Sequence, residues 1–481
     1  MADDFHAVDL FRRIARDDQL ITDRQRVSGY AVDGILPKAV LFPESIEQLA
    51  GMVRLASQEN LALVPWGSGS KMGIGNPPSR LDLVLCTERL KSIIDMDTAN
   101  LTVTVQAGAR FREVQQALAG EENRCYLPVG DFAEPGGGKI CSNRAHKGCF
   151  IPLWPLHAST ATMGGIIAAK SSGPMRLLYG QPRDLLLGVR YVAATGEVIG
   201  MGGKTVKNVS GYDICKLLVG SAGSLGILCE MTLRLLPLPE SRNTGLFFFN
   251  GLEEASDFVE AFFRSGMFPA AVEIINRRAW ETLALQEAEA PKAGKYLVAV
   301  ALEGFAEAVD RMASEAGRMA RESHAIHEHL LGNDAHGLFW DSYSNIASYL
   351  YETESNTASI KMSYPISRYG AIIRDAEGAA EEYQLGYAFA AHAGSGICYL
   401  HLFMGRESPD TLERAAGAIR KLMGCCGRAG GNVIVQKALP KLKQMVPVWG
   451  LPREDLVVMK RIKEEMDSQG IFSPGRFVGG I

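Results

Sequence analysis

The chain has 481 residues, 47% apolar and 22% charged, with a formal net charge of −4. That length suffices for two or three domains around a large core, and the charge balance excludes the basic footprint of a nucleic-acid binder. Nine cysteines, scattered and odd in number, argue against a disulfide framework and for a reduced, cytoplasmic setting.

The opening MADDFHAVDLFRRIARDD is mixed-charge and amphipathic, unlike a signal peptide, and no apolar window reaches the length of a membrane span. Residues 1–34 read as a polar helical leader. Ser45–Asn60 carries apolar residues at helical spacing and starts with a Ser-x-x-Gln capping box. The strand-like run Leu61–Val64 leads into a glycine cluster, PWGSGSKMGIG (Pro65–Gly75). Leu81–Thr87 and Leu101–Gly108 read as strands and Arg110–Leu118 as a short helix, so the stretch up to Leu118 reads as a small α+β unit with mixed strands. Glu121–Leu156, rich in Gly, Pro and Cys, reads as an inserted loop. Its PGGGK (Pro135–Lys139) lacks the flanking strand and helix of a phosphate loop. Its Cys125, Cys141, His146 and Cys149 lack a CxxC knuckle, so free thiols are expected there rather than a metal.

Ala161–Pro239 resumes with strands near Leu186–Ala194 and Met231–Leu236, and Thr195–Gly196 reads as a tight turn between paired strands. Turn chemistry in PLPESRN (Pro237–Asn243) marks a domain boundary. Beyond it, helical stretches (Leu252–Arg264, Phe305–His327, Tyr369–Glu382, Ser408–Leu422) alternate with strand-like runs (Leu246–Asn250, Tyr296–Glu303, Ile397–Phe403), an α/β or α+β cap over one sheet. An amphipathic helix at Arg453–Asp467 precedes the closing IFSPGRFVGGI. The expected organisation is a leader (1–34), a nucleotide-binding domain (35–240, insertion 121–156), a cap (241–446) and a C-terminal helix and tail (447–481).

Two glycine loops, each following a strand, point to an elongated anionic ligand held from two sides. Successive N–H groups of a glycine-rich turn form an anion-binding nest, and Ser68 and Ser70 add hydroxyl donors. A Rossmann site is disfavoured. GSAGSLG (Gly220–Gly226) has glycines at every third position, GSGSKMG (Gly67–Gly73) places its last glycine one residue late, and neither opens a crossover helix with an acidic residue about twenty positions on. Gly203–Lys204–Thr205 imitates the end of a Walker A loop, but Val198 stands where its early glycine belongs.

The ordered motifs PWGSGS, TMGG, SSGP, YG, GYD, GSAGSLGI and SPGRF resemble those of the FAD-binding type 4 oxidoreductases, which have the vanillyl-alcohol oxidase or p-cresol methylhydroxylase fold. Within that family the chain is similar to glycolate oxidase FAD subunits and D-lactate dehydrogenases. The resemblance implies an α+β chain: a two-subdomain FAD-binding domain of the p-cresol methylhydroxylase type with an α/β cap domain. It further implies that Gly67, Ser68, Gly69 and Ser70, opened by Trp66, cradle the FAD pyrophosphate. Thr162, Met163, Gly164 and Gly165 would run beside pyrophosphate and flavin, and Ser171, Ser172 and Gly173 would continue that wall. Gly223, Gly226 and Ile227 would lie on the adenosine side, and Ser473–Phe477 would return towards the FAD domain. Pro65, Tyr179, Gly180 and Asp213 would hold these loops in shape. Some relatives tether the flavin through a histidine of the first loop; this loop has none, so noncovalent FAD is expected.

For a 2-hydroxy acid, a cation or metal must hold the carboxylate and a base must take the hydroxyl proton as hydride leaves. Many relatives hold a metal in a His-x-Gly-Asp-Gly-Asn-x-His pattern. Here the matching stretch is HAGSGICYLHL: His392 matches the first ligand, Ser395 replaces the Asp, Ile397 the Asn, and Tyr399 the second His. His401 stands two residues late, an even offset that keeps it on one face of a strand. No metal is therefore expected, and His392, Lys361 and Tyr399 are the catalytic candidates. His392 read as a hydrogen-bonded core histidine, and Lys361 as a solvated strand residue, are the alternatives.

The leading expectation is an FAD-dependent dehydrogenase of a D-lactate- or glycolate-type 2-hydroxy acid. It would pass electrons to an iron–sulfur subunit or an electron-transfer flavoprotein within a hetero-complex, in the cytoplasm or on the inner membrane through a partner. The alternative is an FAD-bearing accessory electron-transfer subunit without its own substrate site. An ether-forming transferase of the same fold and a binding protein without FAD are weaker readings that no motif selects.

Overall fold

The structure, a computed structural model, describes residues 9–120, 148–205, 211–283, 291, 293–452 and 454–481. PGGGK, Cys125, Cys141 and His146 lie outside these residues.

Three sheets position everything that follows. A four-stranded sheet runs in the order Leu20–Ile21, Ala39–Leu41, Leu83–Cys86, Leu63–Trp66. Its last three strands are parallel. The leader is thus not simply helical: it supplies an antiparallel edge strand, because Leu20 and Ile21 find partners in Leu41 and Val40. Helix Ile46–Gln58 covers this sheet, with Ser45 Oγ accepting from Gln48 N–H at 3.1 Å. The capping box is only half made. Gln48 Oε1 accepts from Glu44 N–H at 2.9 Å instead of closing on Ser45.

A five-stranded antiparallel sheet follows the order Ile93–Asp97, Thr102–Gln106, Ile227–Arg234, Leu186–Val192, Val198–Gly202. The strands expected at Leu81–Thr87 and Leu101–Gly108 both form, but in different sheets, so the small unit ending at Leu118 is not one layer. Of the expected insertion, Cys149–Phe150 pairs with Leu236–Pro237.

The cap is an eight-stranded antiparallel sheet, ordered His327–Leu331, Ser241–Phe249, Tyr296–Gly304, Ala271–Asn276, Gly386–His392, Ile397–Phe403, Thr357–Ser363, Asn432–Lys437. Its two faces follow the strand period of two. Phe247, Phe249, Val298, Val300, Ile274, Phe389, Leu400 and Ile360 form a core with helices Leu252–Arg264, Ala306–Glu322, Tyr369–Glu382 and Pro409–Arg428. Leu246, Phe248, Leu297, Ala299, Ala301 and Ile275 point the other way and share a core with the five-stranded sheet. Towards the Asn432–Lys437 edge, that inner face turns polar. Strand His327–Leu331 replaces the end of the helix expected over Phe305–His327, and helices Asn333–Ser344 and Ile346–Thr353 were not foreseen.

The closing segment comes back to the four-stranded sheet. Leu63 N–H donates to Ile471 O, and Ser473 N–H to Leu63 O, both at 2.7 Å. The buried Lys463 ammonium ties the C-terminal helix to the GSAGSLG loop, donating to Ser224 O (2.8 Å), Phe472 O (2.9 Å) and Asp467 Oδ2 (2.6 Å).

Candidate active site

Two adjoining cavities share Gly69, Ser70, Lys71, Ile74 and Ala169 in their walls. The first, about 800 Å³, is built from three loops. Strand Leu63–Trp66 leads into Trp66–Ser70, the cap and first turn of helix Met163–Ala168 supply Thr162, Gly164 and Gly165, and the loop into strand Ile227–Arg234 supplies Gly223, Gly226 and Ile227. The loops touch. A Cβ on Gly67 would lie 2.2 Å from Thr162 Oγ1, and one on Gly223 3.0 Å from Pro65 Cγ. At these two positions a side chain would close the cradle.

The first loop is held by its carbonyls. The Arg476 guanidinium donates to Met72 O (2.7 Å) and Ile74 O (2.8 Å). The Lys443 ammonium donates to Gly73 O (2.7 Å) and Gly75 O (3.0 Å), with Asp33 as counter-ion at 2.7 Å. Burial pulls Arg476 down to about 10, still cationic at neutral pH. Ser68, Gly69 and Ser70 donate no backbone hydrogen bond to any described residue, so their N–H groups remain for an anion. Arg476→Met frees two carbonyl contacts of the charge-assisted kind, and FAD affinity is expected to fall at least about tenfold, roughly 1.4 kcal/mol. Fluorescence of released flavin measures it; unchanged affinity removes the clamp from the site.

Other expected contacts fall elsewhere. Met163 does not line the cavity: its side chain is fully buried in the core and its N–H donates to Ala109 O at 2.8 Å. Gly164 lines it, but its N–H is already bonded to Ala107 O at 2.8 Å, so this turn contributes close approach rather than free amides. Ser171 and Gly173 line the second cavity, not the first. Ser172 lines neither and accepts from Arg176 at 3.4 Å. Tyr179 stacks on Trp154 at 5.8 Å and donates to the buried Glu303 of the cap, while Asp213 caps helix Ile214–Leu218.

The second cavity, about 1200 Å³, lies between the nucleotide-side loops and the polar end of the cap sheet. Cross-strand register makes its floor a grid. Lys437 faces Ser359 and Ser359 faces His401; Lys361 faces Tyr399 and Tyr399 faces Ala390; His392 faces Glu273. All three catalytic candidates therefore share one face, with His401 on it too. His392 Nδ1 lies 2.6 Å from Glu273 Oε2, which also accepts from Tyr343 OH. A carboxylate only accepts, so Nδ1 carries the proton and Nε2 offers its lone pair. That Nε2 has no partner among the described residues. Lys361 has no ion pair there either. Burial, then Arg176 and Lys170, brings its ammonium down to about 8. Burial raises Tyr399 to about 12 and lowers His401, hydrogen-bonded to Ser359 at 2.8 Å, to about 4. Among the described residues no group of three or more His, Cys, Asp or Glu is placed to hold a metal ion. Glu273 and Tyr343 were missed, since an acid inside an apolar strand and a tyrosine on an unforeseen helix carry no local signal. Lys71, His157 and Lys437 also line this chamber.

Comparison with known proteins fits this geometry. The model described as FAD binding domain matches residues 37–135 and 138–202, and FAD linked oxidases, C-terminal domain, matches 238–477. The chain belongs to the FAD-linked oxidases. FAD is its cofactor, and it is an FAD-dependent oxidoreductase. It is 25% identical over 446 residues to glycolate oxidase subunit GlcD of Bacillus subtilis, covering 92% of this chain and 89% of that one. It is 27% identical over 456 residues to D-2-hydroxyglutarate dehydrogenase of Xanthomonas citri pv. viticola (92% and 89%). D-lactate dehydrogenase of Archaeoglobus fulgidus is 25% identical over 449 residues (91% of each). Among solved structures, p-cresol methylhydroxylase superposes with a TM-score of 0.73 at 17% identity, covering 99% and 97% of the two chains, so the p-cresol methylhydroxylase-type α+β fold is shared. Among the described residues, no helix is long and apolar enough to cross a membrane.

Proposed function

We propose that this FAD-linked oxidoreductase oxidises a small 2-hydroxy acid in the second cavity and passes the electrons to a partner protein. The observation that carries this is His392, oriented by a buried carboxylate and left with a free Nε2 on the chamber wall. FAD held by the Trp66–Ser70 and Gly223–Ile227 loops would supply the acceptor for the hydride of the substrate α-carbon. His392 Nε2 takes the hydroxyl proton, so the alcohol becomes a 2-oxo acid. Glu273 holds the imidazole in the basic tautomer and stabilises the imidazolium. Lys361 pairs with the substrate carboxylate in a site where few waters compete.

We expect the flavin to be held without a covalent bond, because among the described residues no His, Cys or Tyr lines the first cavity. The kinship with a glycolate oxidase subunit supports a partner as electron acceptor, an iron–sulfur subunit or an electron-transfer flavoprotein. Anaerobic titration with 2-hydroxy acids, following flavin absorbance, tests the reading. Bleaching by dithionite but by no hydroxy acid would leave an accessory electron-transfer subunit.

The charge on Lys361 sets a pH dependence. It is present below about 8 and lost as pH rises through that value. KM for the hydroxy acid is therefore expected to be flat below pH 8 and to climb about tenfold per unit above it. Lys361→Met raises KM at neutral pH and flattens the profile; an unaltered profile would remove Lys361 from the carboxylate.

A further inference from the structure

Lys71, Lys170, Lys361, Lys437, His157 and His401 all line the second cavity together with His392, and among the described residues no Asp or Glu does. One monocarboxylate answers one of the four lysine charges. The lysines fall into two groups. Lys361 lies with Arg176 and Lys170, whose charges act on it. His157 lies with Lys71 and Lys437; burial and then their charges lower it to about 4, so it enters that group as a neutral hydrogen-bonding ring.

The second group is built rather than incidental. Lys71 is largely removed from water, and burial brings its ammonium down to about 7, yet its acceptors are two neutral oxygens, Leu156 O (3.1 Å) and Ser70 Oγ (3.5 Å). His157 sits in left-handed backbone (φ 59°), a conformation uncommon for residues other than glycine, and its ring is pinned to Ser348 Oγ at 2.7 Å. Lys437 stands at the rim, its ammonium 3.5 Å from the Tyr351 ring centre. It pairs with Ser359, two residues from Lys361 on the neighbouring strand. That places the two lysines roughly 7 Å apart along the strands and one strand spacing across.

We infer that Lys71, Lys437 and His157 form a second anion subsite, so that the substrate is a 2-hydroxydicarboxylate whose far carboxylate docks there while Lys361 holds the near one. This rests on the chamber being the hydroxy-acid site, but binding tests it apart from turnover. Calorimetry of the FAD-loaded protein compares glutarate with valerate, which has a methyl in place of the second carboxylate. Glutarate is expected to bind at least about tenfold more tightly. Lys437→Met, at the rim and away from the FAD cavity, is expected to cut that ratio at least fivefold. Equal affinity for the two acids, or a ratio untouched by Lys437→Met and by Lys71→Met, overturns the inference. Bleaching by 2-hydroxyvalerate as readily as by 2-hydroxyglutarate overturns it too, while leaving the oxidase reading in place. Failure of every hydroxy acid to bleach the flavin, with glutarate still preferred, would sink the reaction and keep the subsite. If Lys71→Met empties the protein of flavin while the glutarate preference survives in the remaining holoprotein, the lysine serves the cofactor and the inference falls.

Discussion

His392→Gln is expected to slow flavin reduction by a 2-hydroxy acid by about 10²- to 10⁴-fold, the range that loss of a positioned general base produces, with FAD still bound. The imidazole is 3% exposed and bonded on one side to Glu273, so solvent offers no substitute base at that spot. Glutamine keeps much of the volume and removes the titratable nitrogen. Glu273→Gln acts one step back. It leaves the ring in place but withdraws the charge that stabilises the imidazolium, and a loss of about 10²-fold or more follows. Stopped-flow reduction separates this from damage to the fold, because dithionite still bleaches a correctly bound flavin. Wild-type reduction rates in His392→Gln would mean that proton transfer is handled elsewhere.

Gly67→Ala is expected to weaken FAD binding at least about 100-fold, roughly 2.7 kcal/mol, and to yield nearly colourless protein. Its φ is unexceptional, so backbone strain plays no part. The obstacle is Thr162, whose Oγ1 would lie 2.2 Å from the new methyl carbon while it caps the next helix by accepting from Gly165 N–H at 3.3 Å. To clear the contact, one loop must withdraw from the other, and the gap between them is the cradle itself. Thr162→Ala in the same chain removes the clashing oxygen and should restore part of the affinity, a coupling that independent effects would not show. Full flavin content in Gly67→Ala would mean that these loops do not grip the diphosphate.

Much of this architecture was legible residue by residue. Trp66–Ser70 follows a strand and carries glycines where a backbone must approach something closely, and the structure sets it against Thr162 and near Gly223. Helices Leu252–Arg264 and Tyr369–Glu382 were readable because one face is apolar and the other is not. Strands Ala271–Asn276 and Gly386–His392 were not. Ala271–Asn276 is buried at every position, and in Gly386–His392 small residues stand on both faces, so neither alternates in the way that marks a half-exposed strand. Those two strands carry Glu273 and His392, which is why the orienting acid escaped notice although its histidine did not. Lys361 and Tyr399 were named separately, with nothing in the chain to say that they face each other.

The sequence by itself determined which loops can admit a dinucleotide, which family the chain resembles, and that the usual pair of metal-binding histidines is broken at Tyr399. Tertiary structure alone decided that Lys443 and Arg476 hold the first loop by its carbonyls, that Glu273 backs His392, and that four lysines from both sides of the second cavity line it with no acid among the described residues. Each of these depends on strand register and chain return between segments tens to hundreds of residues apart. A shift of one residue would send every such side chain to the opposite face, and nothing local in the chain records which register the packed core selects.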